Sequence, residues 1–355
     1  ENGADAVYLG GKLFNARQQA ENFDLDALRE GIKYAHARGV NVYLTLNILI
    51  SDNEMKKALN YAAEAREAGI DGIIVQDLGL ASALKKLMPD VPLHGSTQMT
   101  VYDEAGAAVL ENMGFKRVVL ARELSLKRVE EIARNTNLEV EIFVHGALCV
   151  CYSGQCLMSS IIGGRSGNRG MCAQPCRLPY RLEEARCGIK DKKSRHEMAG
   201  MPAVKSMPEI KSVQGKKNTE PRYLLSPKDI CTVDLLDGIV SSGVSALKIE
   251  GRMKSPEYVA TVVRVYRKYL DLAFKRTEAP VRGGKTRSEF VVDEKDKRDL
   301  LQIFNRGGFS PGYLAGKAGA DMMSYEKPNN SGIYLGNVLS YDAKMKSVDI
   351  RLTDS

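Results

Sequence analysis

The chain has 355 residues, of which 44% are hydrophobic and 27% charged, values ordinary for a globular protein that buries a large core. No apolar run approaches the roughly 18–20 residues that cross a bilayer, which excludes a membrane-spanning helix. The net charge of +7 permits an RNA or phosphate partner without demonstrating one. The seven cysteines, an odd number, argue against a disulfide framework and predict a reducing compartment, the cytoplasm.

A unit of helix, glycine and short apolar strand recurs along most of the chain. Helices are predicted at 25–37, 54–68, 80–87, 104–113, 126–134, 226–242 and 256–275, and strands at 5–10, 40–46, 72–75, 91–94, 117–120, 140–145 and 245–250. Strands separated by single helices form parallel βαβ units with right-handed crossovers. We therefore predict an α/β fold, a TIM-like (β/α)8 barrel whose first strand lies upstream of Glu1, rather than a doubly wound sheet.

Polar residues recur at the carboxyl ends of the predicted strands, which converge on one mouth in such a barrel. They are Asn47, Gln76 with Asp77, His94 with Ser96, Arg122 with Glu123, His145, and Lys248 with Glu250. Any one of them alone is more often a loop cap. Together they predict a functional site at the barrel mouth.

Two segments fall outside the barrel pattern. The stretch 186–222 is Lys-rich and lacks periodicity, which predicts an insertion that could hold a nucleic acid backbone or be only solvated surface. From about 281 the sequence becomes turn-rich, and 333–338 and 348–352 alternate like strands. We predict a barrel domain over 1–280, with a Cys-rich loop at 146–177 and the basic insertion, and a partial β-rich module over 281–355.

The Cys-rich loop carries four thiols in two close pairs, Cys149 with Cys156 and Cys172 with Cys176. Thiolates bind zinc or iron–sulfur clusters, but the six-residue gap in the first pair fits zinc poorly. Four thiolates at irregular spacing fit a 4Fe–4S cluster. Cys151 is an alternative to Cys149, Cys187 and Cys231 are more distant reserves, and buried free thiols remain the plain alternative.

Two further features of this loop bear on its chemistry. Its glycines allow the backbone to wrap closely around an inorganic core, and Arg165, Arg169 and Arg177 place positive charge near a dianionic cluster or an anionic ligand. The chain has no Gly-x-Ser-x-Gly elbow and no zincin motif. Cys149 with His145 could form a thiol nucleophile and base, but a thiolate committed to a cluster cannot also attack a peptide.

At these residues the chain resembles the peptidase U32 family of collagenase-like peptidases. The matching motifs are Glu141-x-Phe143-x-His145-Gly146-Ala147-Leu148-Cys149, Tyr152-Ser153-Gly154-x-Cys156-Leu157-x-Ser159, Asn168-Arg169-Gly170-x-Cys172-x-x-x-Cys176-Arg177 and Leu247-Lys248-Ile249-Glu250-Gly251-Arg252. The resemblance runs from the first residue to about Lys275. The tail, with Phe304-Asn305-Arg306-Gly307-Gly308-Phe309, is similar to longer members that resemble the 23S ribosomal RNA cytidine 5-hydroxylase.

The resemblance implies a TIM-like barrel, a 4Fe–4S cluster and oxygen-independent hydroxylation with prephenate as hydroxyl donor in the RNA-modifying members. By motif position the cluster ligands are Cys149, Cys156, Cys172 and Cys176, with Cys231 as a minor alternative for the last. The family name implies proteolysis instead, and this sequence offers no convincing hydrolytic set.

We therefore predict an iron–sulfur enzyme that 5-hydroxylates a pyrimidine, a cytidine of 23S ribosomal RNA by resemblance. Candidate acid–base or substrate contacts are His145, Glu141, Asn47, Asp77 and Glu250. Candidates for binding a small carboxylate donor, phosphates or RNA are Arg165, Asn168, Arg169, Lys248 and Arg252. The rival hypotheses are a peptidase that uses Cys149 with His145 or a metal-bound water, and a non-catalytic iron–sulfur assembly or binding protein. The sequence does not indicate an oligomeric state.

Overall fold

The computed structural model describes residues 1–181, 221–278, 289–316 and 319–353. The predicted insertion at 186–222 therefore lies outside the described residues, apart from its last two. The helices are α1 (Leu25–His36), α2 (Asp52–Ala68), α3 (Leu78–Leu87), α4 (Glu104–Asn112), α5 (Leu126–Arg134), α6 (Met158–Gly163), α7 (Leu236–Ser241), α8 (Pro256–Glu278) and α9 (Glu294–Ile303). In this part of the chain no helix is long and apolar enough to cross a membrane.

The strands alternate with these helices through most of the chain. They are β1 (Ala6–Leu9), β2 (Asn41–Leu46), β3 (Gly72–Val75), β4 (Leu93–Gly95), β5 (Arg117–Val119), β6 (Glu139–Ala147), β7 (Asp229–Cys231), β8 (Ala246–Ile249), β9 (Phe309–Ser310), β10 (Gly336–Asp342) and β11 (Ser347–Leu352). The six predicted strands from β1 to β6 and the five predicted helices between them are confirmed.

Helix ends follow local side-chain chemistry. The carboxylates of Asp24, Asp77 and Asp103 each accept a hydrogen bond from the free backbone N–H of the residue three positions later, at the start of α1, α3 and α4. Gly69 ends α2 in the left-handed conformation, with φ of 99°. These caps explain why the sequence pattern located the helices well, including α5 at 126–134.

The central sheet is mostly parallel. Strands β1 to β6 pair in chain order, and β8 lies parallel to β6, which gives an α/β fold consistent with a TIM-like barrel. The two edge strands face each other: the Tyr8 hydroxyl of β1 donates to the carbonyl of Ile249 in β8 at 3.3 Å. Among the described residues no backbone pairing joins them, and a cleft of about 640 Å³ lies between them.

The stretch 226–242, predicted to carry a helix, is only partly helical. Strand β7 lies in its first half and pairs antiparallel with the end of β6, and only Leu236–Ser241 is α-helical. The side chain of Ile230 is 2% exposed in this strand. Burial against β6 therefore decides the conformation, and this long-range contact overrides local helix propensity.

The predicted C-terminal module divides into two parts. Strand β9 pairs with β7 in the main sheet, and α9 packs on α8, where Lys268 Nζ lies 2.6 Å from a carboxylate oxygen of Asp296. Only β10 and β11 form the expected antiparallel β structure, an exposed hairpin. Phe290, Val292, Leu300 and Phe309 pack in or against the same apolar core as the sheet.

Candidate functional site

A cavity of about 280 Å³ lies at the carboxyl ends of the parallel strands. Nine of the fourteen residues selected as catalytic, substrate-binding or cluster-ligand candidates line it: Asn47, Cys149, Cys156, Asn168, Cys172, Cys176, Lys248, Glu250 and Arg252. They come from the loops after β2 and β8, from β8 itself in the case of Lys248, and from the Cys-rich loop that follows β6. The convergence expected of parallel strand ends therefore brings residues distant in sequence to one site.

The four cysteines of the predicted ligand set all line this cavity as free thiols. Cys151 lies outside the lining and its thiol is 3.6 Å from the carbonyl of Gln155. Cys231 lies in β7, against the Tyr266 hydroxyl at 3.7 Å, also away from the cavity. Cys187 is outside the described residues. The geometry thus favours Cys149 over Cys151, and Cys176 over Cys231.

The Cys-rich loop is held over the sheet by specific bonds. Arg177 donates to the Leu148 carbonyl at 3.0 Å and to the Ser226 hydroxyl at 2.7 Å, which ties the end of the loop to its beginning. A Cβ added at Gly154 would lie 2.3 Å from the Gln98 carbonyl oxygen, and one at Gly170 would lie 2.2 Å from that of Asn15. Both glycines have positive φ, so the close backbone packing requires glycine.

The donor set fits a polynuclear cluster better than a single ion. Among the described residues, no three His, Cys, Asp or Glu side chains are grouped closely enough to hold one metal ion. In a 4Fe–4S cluster each thiolate binds a different iron, so the four sulfurs surround a larger core. Four thiols around one cavity, without a His or carboxylate ligand, match that requirement.

The thiols and arginines influence one another electrostatically. The pKa of Cys176 is raised to about 11, mainly by burial. The other three cysteines of the set raise this pKa further, whereas Arg177 lowers it. Glu250 raises the pKa of Arg17, despite burial, and the thiols of Cys172 and Cys149 contribute in the same direction. The arginines therefore supply charge that favours thiolates in this cavity.

Cationic side chains dominate the cavity wall: Arg17, Arg122, Arg177, Lys248, Arg252, Lys254 and Arg306. Among the described lining residues Glu250 is the only acidic one. Arg252 donates to the side-chain oxygens of Asn15 at 2.9 Å and Asn22 at 2.7 Å, and thereby retains its charge without a carboxylate partner among the described residues. A cavity with this charge balance favours anions.

Glu141, predicted to be catalytic, lies beneath the cavity in a buried ion-pair network. Lys248 Nζ is 2.6 Å from one carboxylate oxygen and Arg117 is 3.2 Å from the other. Burial raises the pKa of Glu141, but Lys248 and Arg117 outweigh it and leave the pKa below its ordinary value. Glu141 is thus an ionised structural partner of Lys248.

We expect Lys248→Met to lower the free energy of unfolding by about 3 kcal/mol, because it leaves the buried Glu141 with only Arg117 as a partner. Urea denaturation measures this change. Lys116→Met is the matched control, since its ion pair with Glu139 has a lysine side chain that is 62% exposed. The control should change by less than about 1 kcal/mol; equal effects in both variants would contradict the role assigned to Lys248.

His145, also predicted to be catalytic, is fully buried and does not line the cavity. Its ring packs against those of Tyr258, Tyr266 and Phe309, with centroid distances of 5.3–6.0 Å. Its Nε2 has no hydrogen-bond partner among the described residues. Burial lowers the pKa of His145 to about 3, so the ring is neutral. The thiol–imidazole pair with Cys149 is therefore not formed.

His145→Phe should preserve folding and any activity, because an aromatic ring replaces a neutral ring in an aromatic cluster. It should also reduce the loss of stability in acid. The unfolded histidine binds a proton near pH 6.5 and the folded one only near pH 3. The free energy of unfolding of the wild type therefore decreases as the pH is lowered from 6.5 towards 3, by up to about 1.4 kcal/mol per pH unit. Urea denaturation between pH 7 and 5 measures both slopes; identical slopes would refute this assignment.

Three other predicted residues serve the scaffold. Asp77 caps α3 and accepts a second hydrogen bond from the backbone N–H of Ile50 at 3.1 Å. Arg169 forms a bidentate pair with Glu54 at 2.5 and 2.8 Å. Arg165 donates to the Met171 carbonyl at 3.0 Å within the Cys-rich loop. None of the three is in the cavity lining.

Several lining residues escaped the sequence analysis. Arg17 and Lys254 follow β1 and β8, so the same strand-end rule could have found them. Arg306 could not be found this way, because it comes from the segment expected to be a separate module, where it pairs with the buried Asp229. Tyr152, 54% exposed at the cavity, was quoted only as part of a motif.

Fold and site together define an α/β protein with a thiol-lined, cationic cavity at the carboxyl ends of a parallel sheet. The chain belongs to peptidase family U32, whose sequence model matches residues 1–324.

Curated relatives of this chain have names of two kinds. It is 35% identical over 339 residues to the 23S rRNA 5-hydroxycytidine C2501 synthase of Escherichia coli, covering 95% of this chain and 46% of that protein. It is 32% identical to the tRNA hydroxylation protein P1 of Bacillus subtilis, covering 98% and 75%. It is 31% identical to a collagenase of Porphyromonas gingivalis, covering 97% and 77%. The chain thus spans about half the length of the first of these relatives.

Proposed function

We propose that this protein is a cytoplasmic RNA-modifying enzyme that hydroxylates carbon 5 of a pyrimidine, a cytidine of 23S ribosomal RNA, without oxygen. The observation that carries the proposal is the convergence of four free thiols and a cationic wall on one cavity. The names of the Escherichia coli and Bacillus subtilis relatives support RNA hydroxylation as the class of reaction.

In this proposal Cys149, Cys156, Cys172 and Cys176 hold a 4Fe–4S cluster, which supplies one-electron chemistry when bound. A base within folded RNA must leave its stack to enter the cavity. Tyr152 provides an exposed ring on which it can stack. The amide side chains of Asn47 and Asn168 line the same space and can hydrogen-bond the edge of a base.

The cationic wall would bind the co-substrate, a small carboxylate for which we propose prephenate. Arg252 presents a guanidinium fork whose shape matches a carboxylate, and its orientation is fixed by Asn15 and Asn22. Glu250, held 3.6 Å from Arg17, is the lining carboxylate available to accept a proton. It therefore remains the candidate acid–base group of the original set.

The rival hypotheses have less structural support. A thiol peptidase needs a base within reach of Cys149, and the ring of His145 is instead enclosed by aromatic side chains. A non-catalytic iron–sulfur assembly or binding protein would not require the amide and guanidinium groups that line the cavity. The collagenase name of one relative keeps proteolysis as an activity to test.

We further propose that one additional parallel strand, from outside the described residues, fills the cleft between β1 and β8 and closes a TIM-like barrel. All four residues of β1 are half-buried, whereas the adjacent β2 is buried except at its first residue. Both edge strands have backbone groups that an inserted strand would pair.

The test is mass spectrometry of ribosomal and transfer RNA from a strain lacking the gene, complemented with the wild type or with a Cys149→Ala variant, together with a gelatin assay of both purified proteins. We expect a 16-dalton addition to one pyrimidine, restored only by the wild type, and no gelatin cleavage. Gelatin cleavage that depends on Cys149, without RNA modification, would favour the peptidase. An intact cluster with neither activity would favour the binding protein.

A further inference from the structure

Lys254 occupies an unusual position on the cavity wall. It follows β8, just before α8, and is half-buried. Its ammonium lies over the ring of Phe304, and 5.1 Å from the centroid of the Tyr258 ring. No oxygen atom of any described residue accepts a hydrogen bond from it or forms an ion pair with it. A lysine ammonium has three donors, so this group is poorly satisfied by the protein itself.

The two carboxylates near Lys254 each lie closer to an arginine. Asp229 is paired with Arg306, and Glu250 lies 3.6 Å from Arg17. Two further cations, Arg177 and Arg306, act on Lys254 from the same wall. Burial lowers the pKa of Lys254 to about 7. Arg306 contributes in the same direction, and Asp229 opposes it. The protein therefore leaves a local excess of positive charge that a bound anion would neutralise.

We propose that Lys254 binds a carboxylate group of a small organic acid in the cavity, with the rings of Phe304 and Tyr258 packed against the ammonium from the protein side. This inference rests on the proposed function, in which a carboxylate co-substrate enters the cavity. The acid is thereby assigned to the β8–α8 loop and not to Arg165, Arg169 or Lys248. Arg165 donates to a backbone carbonyl, and the other two form ion pairs with glutamates.

The surroundings favour a small acid over an RNA phosphate. Lys254 is half-buried, with two aromatic rings packed against its ammonium, so a free acid can reach it more readily than a phosphate that is joined to a polymer on both sides. The cavity of about 280 Å³ is slightly below the usual range for small-molecule pockets, which favours a small acid over a polymer backbone.

The test measures binding directly, by titrating prephenate into wild-type protein, Lys254→Met and Lys254→Arg in a calorimeter. Losing a charge-assisted hydrogen bond should raise Kd roughly ten- to hundred-fold in Lys254→Met. Lys254→Arg should retain part of the affinity. Lys228→Met is the matched control, because Lys228 is also half-buried but does not line the cavity, and its Kd should not change. Inorganic phosphate and a fragment of ribosomal RNA are titrated in parallel.

A second readout follows the amine itself. Acetylation of Lys254 by an amine-reactive ester, measured by peptide mass spectrometry, should be slowed by prephenate and not by phosphate at the same concentration. An unchanged prephenate Kd in a folded Lys254→Met protein would overturn the proposal. So would a loss of RNA binding with acid binding intact, because Lys254 would then serve the RNA backbone.

These outcomes separate the inference from the proposed function. Because binding and acetylation are measured without turnover, prephenate bound through Lys254 in a protein that does not hydroxylate RNA would refute only the function. Hydroxylation by Lys254→Met with an unchanged KM for prephenate would refute only the assignment of Lys254.

Discussion

Cys172→Ser is expected to abolish cluster binding, with iron and sulfide falling from about four of each per chain to well under one in anaerobically purified protein. Cys172 lines the cavity with three other thiols, and a serine hydroxyl is a poor ligand for iron in such a centre. The rate of RNA hydroxylation by Cys172→Ser should fall at least a hundred-fold when the cluster is lost. Iron and sulfide analysis, an absorption spectrum and RNA mass spectrometry measure the three quantities.

The same substitution at Cys151 is the matched control. Cys151 belongs to the same loop but lies outside the cavity lining, so Cys151→Ser should keep its iron and its activity. Cys231→Ser should behave likewise, because Cys231 lies under Tyr266. A cluster lost in Cys151→Ser and kept in Cys149→Ser would reverse the assignment of the first ligand. Wild-type protein that binds only zinc would refute the cluster altogether.

That the four cysteines lie around one cavity could be predicted from sequence, because the information is local. Ligand type, spacing and glycine content lie within one stretch of chain, and the helices around it have caps readable from neighbouring residues. The structure adds the choice between Cys149 and Cys151, since only the fold of the loop decides which thiol faces the cavity.

The catalytic candidates were harder to predict because their roles depend on where each strand ends. The sequence suggested that the strand before the Cys-rich loop ends at His145, whereas β6 continues to Ala147. His145 therefore lies inside the sheet and faces the aromatic core, whereas Asn47, one residue beyond β2, does reach the cavity. Glu141, near the start of β6, is too far from the carboxyl end to take part. A strand end that lies two residues later than predicted therefore places His145 in the core and not in the site.

Charge pairing could not be predicted either, because it joins strands distant in sequence. Lys248 pairs with Glu141, 107 residues away, and Arg169 with Glu54, 115 residues away. Those ion pairs neutralise the positive charges for which Lys248 and Arg169 were selected as ligand-binding candidates. The cations that keep their charge available, Arg252 and Lys254, follow β8. Arg252 belongs to a motif quoted from the sequence, whereas Lys254 is marked only by its position after the strand.

Gly170→Ala should disrupt the site without changing any ligand. The added Cβ would lie 2.2 Å from the carbonyl oxygen of Asn15, and Gly170 has φ of 77°, which an L-residue adopts at a cost. The loop must move away from the β1–α1 connection, to which it is joined by the bond from Gln18 N to Gly170 O at 3.3 Å. We expect a loss of about 1–3 kcal/mol in unfolding free energy and a several-fold drop in bound iron.

Gly163→Ala is the control that isolates this effect. Gly163 lies in the same loop, its φ is not positive, and a Cβ there meets nothing within 4 Å. It should therefore match the wild type in urea denaturation and in iron content. If Gly170→Ala also kept its iron, the position of Cys172, two residues further on, would not depend on close packing against Asn15. The four thiols would then have to be arranged around the cluster by the metal itself, not by the fold.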